Sequence, residues 1–222
     1  MVINMVSSLD GKATTNGGKA GSIGSPVDHL LMRSLRSRAD AVMIGASTLR
    51  AEKLNLAIPE DLVHARVSQG RERQPLAVFV SRSGDLPLEE NLLGPSRENR
   101  LVLTVPSLPA ERLAALSRLA SVETLPAKKD SIDLSTVLEV LKTRHGVDVL
   151  LVEGGPSLNY SLVRDGLVDE LFLTLAPKMT GGQGPSFPGI LSGPALPPVT
   201  DFAPDLLSVH VSHDELFLRY HI

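Results

Sequence analysis

The sequence predicts an α/β fold in which a mostly parallel central sheet is sandwiched between helices and finished by a C-terminal antiparallel hairpin. Three observations lead there. Short β-type runs recur along the chain, with helical patterns between many of them. Several runs, among them Ala41–Ile44 and Val149–Val152, are apolar throughout, as strands covered on both faces are. The last two runs, Leu206–His213 and Glu215–His221, meet at His213-Asp214 with no helix between them, which reads as a hairpin.

Taken in order, Val2–Val6 is the first strand, and the glycine-rich stretch Thr14–Gly24 after it is a loop. A helix over Pro26–Arg38 follows, capped by Ser25, with Pro26 in its first turn and Leu30, Leu31 and Leu35 on one face. Ala41–Ile44, Leu76–Val80 and Arg100–Val105 are strands. Lys53–Gln74 reads as polar and irregular, with a weak helical stretch around Leu62–Val67. Pro109–Leu119 and Leu134–Arg144 read as helices, the second stopped by Gly146. Val149–Val152 is a strand, and Leu158, Leu162, Val163 and Leu167 carry a helical spacing after it. Glu170–Ala176 is the next strand, and the Gly/Pro-rich stretch Pro177–Pro198 wraps over the sheet. No repeat, linker or second domain is evident, so residues 1–222 are expected to form one domain.

Composition narrows the function. The chain has 222 residues, 42% hydrophobic and 21% charged, an ordinary globular balance. Its formal net charge is −3 and its basic residues are scattered, which argues against a nucleic-acid partner. The absence of cysteine excludes disulfides and thiolate-held metals. The histidines are isolated or, at His210 and His213, point to opposite faces of a strand, so no metal site is expected. No run is long enough to span a bilayer and no signal pattern opens the chain, so the expected location is the cytoplasm, with no membrane partner.

The most informative stretch is Glu153-Gly154-Gly155-Pro156-Ser157. A buried strand, two glycines and a helix start can form an anion cradle: the first N–H groups of a helix lack internal partners, and glycine lets a phosphate approach the backbone. As a bare pattern it is equally an ordinary strand–helix turn, since it has neither the full dinucleotide fingerprint nor a P-loop. Three other strand ends carry polar groups. Ser7-Ser8-Leu9-Asp10-Gly11-Lys12 is either a ligand loop or an Asp-Gly turn. Gly45-Ala46-Ser47-Thr48 either binds phosphate or ribose, or caps the next helix. Ser81 alone reads as a turn serine. All four lie at the carboxyl ends of strands, where parallel sheets gather their ligands. Asp169-Glu170 and Asp214-Glu215 read as solvated turn charges. No nucleophile elbow is present, which argues against a hydrolase.

At these residues the chain resembles the riboflavin-biosynthesis pyrimidine reductase family, the reductase half of RibD-type proteins, whose fold is a three-layer α/β/α dihydrofolate-reductase-like one. The matching pieces are Ser8–Lys12, Leu35-Arg36, Ala39-Asp40-Ala41, Gly45–Thr48, Val80-Ser81, Glu153–Pro156, Leu167–Leu171, Ala176-Pro177-Lys178 and Gly181. With no deaminase segment before Met1, the resemblance implies a stand-alone reductase. It implies NADPH as cofactor, contacted by Val6, Ser22, Thr48, Glu52, Ser81 and the turn Gly154, Gly155, Pro156, Ser157, Leu158, extending to Ser161. It implies substrate contacts at Asn4, Arg36, Leu56 and Glu153. The catalytic residue is left open, with Glu153 and Glu52 as candidates. The reaction implied is reduction of a ribosylamino-pyrimidine 5′-phosphate, of the 5-amino-6-(5-phosphoribosylamino)uracil type, to its ribitylamino form. A homodimer is expected from the family.

Three positions depart from the family pattern. Asn4 stands where a lysine is usual, Ala20 where a phosphate-binding serine is, and Glu52–Pro59 lacks the arginine of an Asp-Asn/Asp-Pro-x-Leu-x-x-Arg run. Arg66, Arg71 or Arg73 are candidates to replace it. The departures keep two alternatives open: an NADPH-dependent reductase of another substrate, such as dihydrofolate or a pterin with Asp28 as the ring-binding acid, and a non-catalytic NADPH-binding protein.

Overall fold

A computed structural model describes all residues except 15–22, 53–54, 88–93, 129–130, 185 and 197–202. Ser22 and Ala20 therefore lie outside the described residues. In chain order the elements are β1 (Val2–Ser8), α1 (Pro26–Arg38), β2 (Ala41–Gly45), α2 (Ala46–Glu52), α3 (Glu60–Ser68), β3 (Leu76–Val80), β4 (Arg100–Thr104), α4 (Ala110–Ser117), β5 (Ser121–Thr124), β6 (Ala127–Lys128), β7 (Ser131–Ile132), α5 (Leu134–His145), β8 (Leu150–Val152), α6 (Pro156–Arg164), β9 (Glu170–Ala176), β10 (Asp205–Ser212) and β11 (Glu215–His221). They form two compact units, residues 1–32 with 152–222 and residues 33–151.

In the first unit, β1 and β9 run parallel in a register that sets Val6 against Thr174. β11 pairs antiparallel with β9, setting Phe217 against Thr174, and β10 pairs antiparallel with β11. The expected terminal hairpin is thus present, turning at His213-Asp214. Side chains alternate along strands, so Asn4, Val6, Thr174, Phe217 and Glu215 share one face of this sheet. The start of α1 is fixed by the expected serine: Ser25 Oγ accepts from the backbone N–H groups of Val27 (3.1 Å) and Asp28 (3.3 Å). α6 starts as its sequence predicts, with Gly155 as N-cap and Pro156 at the first helical position.

In the second unit, β2, β3, β4 and β5 pair side by side, all parallel. β2 and β4 are buried at every position, which is why their sequences show no alternation. α5 is closed at both ends, the second as predicted: Asp133 accepts from Ser135 N–H, and Gly146 adopts φ 65° while Val147 N–H donates to Leu141 O.

Three features differ from the sequence reading. The stretch read as weakly helical around Leu62–Val67 is a full helix, Glu60–Ser68. It is anchored by Arg66, whose buried guanidinium donates to the carbonyls of Ser37, Ala39 and Glu72 and so satisfies main-chain acceptors at the end of α1. β5 is a half-exposed four-residue strand, too short to leave a periodic signal. The charges at Asp169-Glu170 and Asp214-Glu215 are not simply solvated turns. Glu170 makes a two-pronged pair with Arg219 (2.8 and 2.6 Å), Asp169 receives the N-terminal amine, and Glu215 is only 5% exposed.

Candidate active site

Glu153 leaves β8 at the point where the chain turns into α6, and it is 8% exposed. Gly154 follows with φ 87°, a value that favours glycine, and the Gly154–Gly155 peptide is cis. Gly154 and Gly155 are buried, Pro156 and Leu158 half-buried, and Ser157 exposed. Asn159 N–H donates back to Gly155 O, which begins the helical ladder. The earlier N–H groups of this turn have no place in that ladder, and the helix dipole adds partial positive charge there.

The same unit holds a second buried carboxyl, Asp28, 6% exposed, in the first turn of α1. Burial pushes its pKa above the usual aspartate value, and the nearby charges of Glu215 and Glu153 push the same way. The Thr174 hydroxyl and His29 oppose this. The Thr174 hydroxyl stands beside the carboxyl but outside regular hydrogen-bond geometry, and it is buried without another partner. Gly24 makes room for the carboxyl, because a Cβ there would lie 2.1 Å from Asp28 Oδ2. Asn4 Oδ1, on the same sheet face as Thr174, is likewise buried with no hydrogen-bond partner. Val6 sits between them on β1, paired with Thr174.

Glu215 belongs to this polar layer but is fully served. Both the backbone N–H (3.1 Å) and the hydroxyl of Ser25 donate to it. Asp10, in the loop after β1, accepts from the Ser8 hydroxyl and the backbone N–H groups of Thr180 and Gly181, which lower its pKa to about 2. It therefore ties the loop after β1 to the loop after β9.

The remaining candidates belong to the second unit. Thr48 is half-buried on α2, and Glu52 ends that helix. Ser81 follows β3; its hydroxyl is buried with no partner, and so is that of Thr104 at the end of the neighbouring β4. Leu56 is wholly buried, so its side chain packs this unit. Arg36 is also buried and donates to Asn55 O at 2.8 Å. Of the arginines considered as substitutes, Arg66 is committed to three carbonyls. Arg71 is held by Arg38 O and Asp40, both at 2.7 Å, and Arg73 pairs with Glu60 at the surface. Among the described residues, no cluster of His, Asp and Glu is arranged to hold a metal.

The sequence reading missed Thr174, Thr104 and Glu215. Thr174 had a signal: it is the one hydroxyl inside the otherwise apolar interior of Glu170–Ala176. Glu215 had none, because a turn charge and a buried first strand residue look alike in sequence.

Residues 1–197 match the family model described as the RibD C-terminal domain. A curated relative from Archaeoglobus fulgidus, named 2,5-diamino-6-ribosylamino-4(3H)-pyrimidinone 5′-phosphate reductase, is 32% identical over 183 residues, covering 82% of this chain and 81% of the relative. The crystal structure of a pyrimidine reductase-like protein from Corynebacterium diphtheriae superposes with a TM-score of 0.76 at 26% identity, covering 100% of this chain and 91% of the other. A dihydrofolate reductase from Schistosoma mansoni, 13% identical and covering 100% of this chain and 97% of its own, shares the fold with a TM-score of 0.50. The dihydrofolate-reductase-like α/β fold with a mostly parallel sheet is therefore the one observed.

Proposed function

We propose, from the premise that this chain belongs to the RibD C-terminal domain family, that it is an NADPH-dependent reductase of a ribosylamino-pyrimidine 5′-phosphate. The observation that carries the reading is Glu153, a buried carboxylate immediately before the Gly154-Gly155 turn of α6. A carboxylate at the end of a strand, just before such a turn, can accept the N–H groups that a pyrimidine ring presents.

The chain's residues suit a nicotinamide dinucleotide. The Ser81 hydroxyl is buried without a partner, and the α6 turn offers backbone N–H groups and a positive dipole end. Val6, Thr48, Glu52, Ser81 and Gly154, Gly155, Pro156, Ser157 and Leu158 are the residues proposed to hold it. When bound, it supplies a hydride for the C1′ carbon of the ring-opened sugar, and a proton on the attached nitrogen completes the ribitylamino product. Glu153 fixes the ring by accepting its N–H groups, and Asn4 on β1 adds a polar amide. Arg36 acts as a positioning residue, because its guanidinium is buried and holds the Asn55–Leu56 segment by the Asn55 carbonyl. The protein's contribution is orientation and charge complementarity rather than covalent chemistry.

The reading includes a homodimer in the cytoplasm, where reduced nicotinamide is available. The outer strand β10 leaves Leu206, Leu207, Val209 and Val211 exposed, the last at 67%, an apolar surface that a second copy would cover. Light scattering on purified protein at micromolar concentration should give twice the chain mass; a clean monomer removes this part.

One observation favours a second substrate. Asp28 is a buried acid of the kind that suits a pterin ring, so dihydrofolate is the alternative. Purified protein given NADPH and each compound separately tests both. Loss of the reduced nicotinamide signal with the pyrimidine phosphate, and a product carrying two more hydrogens, is expected. Turnover of dihydrofolate alone selects the alternative, and turnover of neither removes both.

A further inference from the structure

We infer that Asn159 is a positioning residue for the cofactor: its amide latches a strap, residues 186–193, onto α6, and the strap in turn ties the Gly154–Leu158 turn to the loop after β1. The inference rests on the reading that this turn binds NADPH.

The strap crosses from one of these segments to the other. At its start, Ala13 N–H donates to Pro188 O at 2.9 Å and the Thr14 hydroxyl donates to Ser186 O at 3.3 Å. Gly189 comes so close to the loop after β1 that a Cβ there would lie 3.2 Å from Gly11 O. At its end, Ser192 N–H donates to Pro156 O at 3.0 Å, inside the turn itself. Gly193 lies against the Tyr160 ring, where a Cβ would stand 2.3 Å from a ring carbon. Between the two ends, Asn159 Nδ2 donates to Ile190 O at 3.1 Å.

Close packing does not hold the middle of the strap. A cavity of about 200 Å³ lies there, lined in part by Ile190 and Leu191 of the strap, Asn159 and Val163 of α6, and Ile3 and Met5 of β1. A void has no partner atoms to offer its walls, so dispersion contributes little at that point. The Asn159 amide is the contact that fixes it. The other half of the amide agrees with this role. Asn159 is wholly buried, and its Oδ1 has no partner. A buried oxygen left unpaired is destabilising, and a leucine of similar volume would avoid it. What the asparagine contributes is the bond to the strap. Its backbone meanwhile begins the ladder of α6, with Asn159 N–H donating to Gly155 O at 2.9 Å. One residue thus joins the strap to the turn that is proposed to carry the cofactor.

The test is an NADPH titration of the full chain, followed by fluorescence, together with steady-state kinetics on the pyrimidine phosphate. Asn159→Leu keeps the bulk and removes the donor, so the Kd for NADPH should rise at least about fivefold. KM for NADPH should rise with it while kcat stays within about twofold, because no group that meets the substrate has changed. Gly193→Ala displaces the strap without altering Asn159 and should weaken NADPH binding in the same direction. In the double variant the loss should be smaller than the product of the two single losses, since both release one strap. An unchanged Kd in folded Asn159→Leu, a fall in kcat at unchanged Kd, or single losses that multiply in full would each overturn the proposal and leave the cofactor reading standing. Should Asn159→Leu not fold, Gly193→Ala decides: a raised Kd supports the latch and an unchanged one overturns it. No binding of NADPH by the parent chain removes the cofactor reading and the latch with it.

Discussion

Ser25 joins the start of α1 to the start of β11 by donating its hydroxyl to Glu215 while accepting the N–H groups of Val27 and Asp28. One side chain therefore caps the helix that carries Asp28 and satisfies a carboxylate that would otherwise be buried unpaired. Ser25→Ala should cost about 1 kcal/mol as a lost cap, and Glu215→Ala roughly 1–3 kcal/mol. The double variant should cost less than the sum, because both remove the same bond. Urea melts of the four proteins check this, and simple additivity would mean that the contact contributes nothing.

Gly24→Ala should disturb Asp28 in particular. The added Cβ would lie 2.1 Å from Oδ2, so the carboxyl must move or the chain must shift, at roughly 1–3 kcal/mol. Introduced into an Asp28→Ala background, the same change should be nearly neutral. The difference between the two backgrounds, read from denaturation midpoints, is the measurement.

Asp28 and Asp10 predict opposite pH effects on stability. The pKa of Asp28 is raised in the folded state, so the stability associated with it is full below the unfolded value and falls as pH rises through the folded pKa. Asp28→Asn should therefore melt higher than the parent at pH above that window, and the gap should close in acid. The pKa of Asp10 is lowered to about 2, so its contribution is present above the ordinary aspartate pKa and is lost as pH falls toward that value. Asp10→Asn should flatten the acid limb of the melting curve, with its effect limited by the exposure of the group.

Glu153→Gln should lower kcat/KM for the pyrimidine substrate by roughly ten- to a hundredfold, since it removes a charged acceptor and keeps the shape. NADPH affinity should stay within about twofold, because the backbone of the Gly154-Gly155 turn is untouched. Steady-state kinetics and a cofactor titration separate the two effects.

Much of the fold was legible because its signals are local. Ser25 and Pro26, Gly146, and Gly155 and Pro156 mark helix ends by chemistry that depends on a few neighbouring residues. The strands buried on both faces announced themselves as unbroken apolar runs. α3 gave only a weak helical signal around Leu62–Val67, because what holds it is Arg66 reaching carbonyls near the end of α1, about thirty residues earlier in sequence. The Glu153–Ser157 turn was legible for the same local reason, whereas the polar layer around Asp28 was not. Thr174 and Glu215 join that layer only through strand register, which a linear reading does not supply.

The central claim is hydride transfer to the sugar carbon of a ribosylamino-pyrimidine phosphate. Its most direct test is to incubate the protein with the pyrimidine phosphate and NADPH carrying deuterium at the transferable position, and to locate the label by NMR. The account predicts one deuterium at C1′ of a ribitylamino product. Deuterium on a ring carbon, or no transfer while NADPH binds, would contradict it.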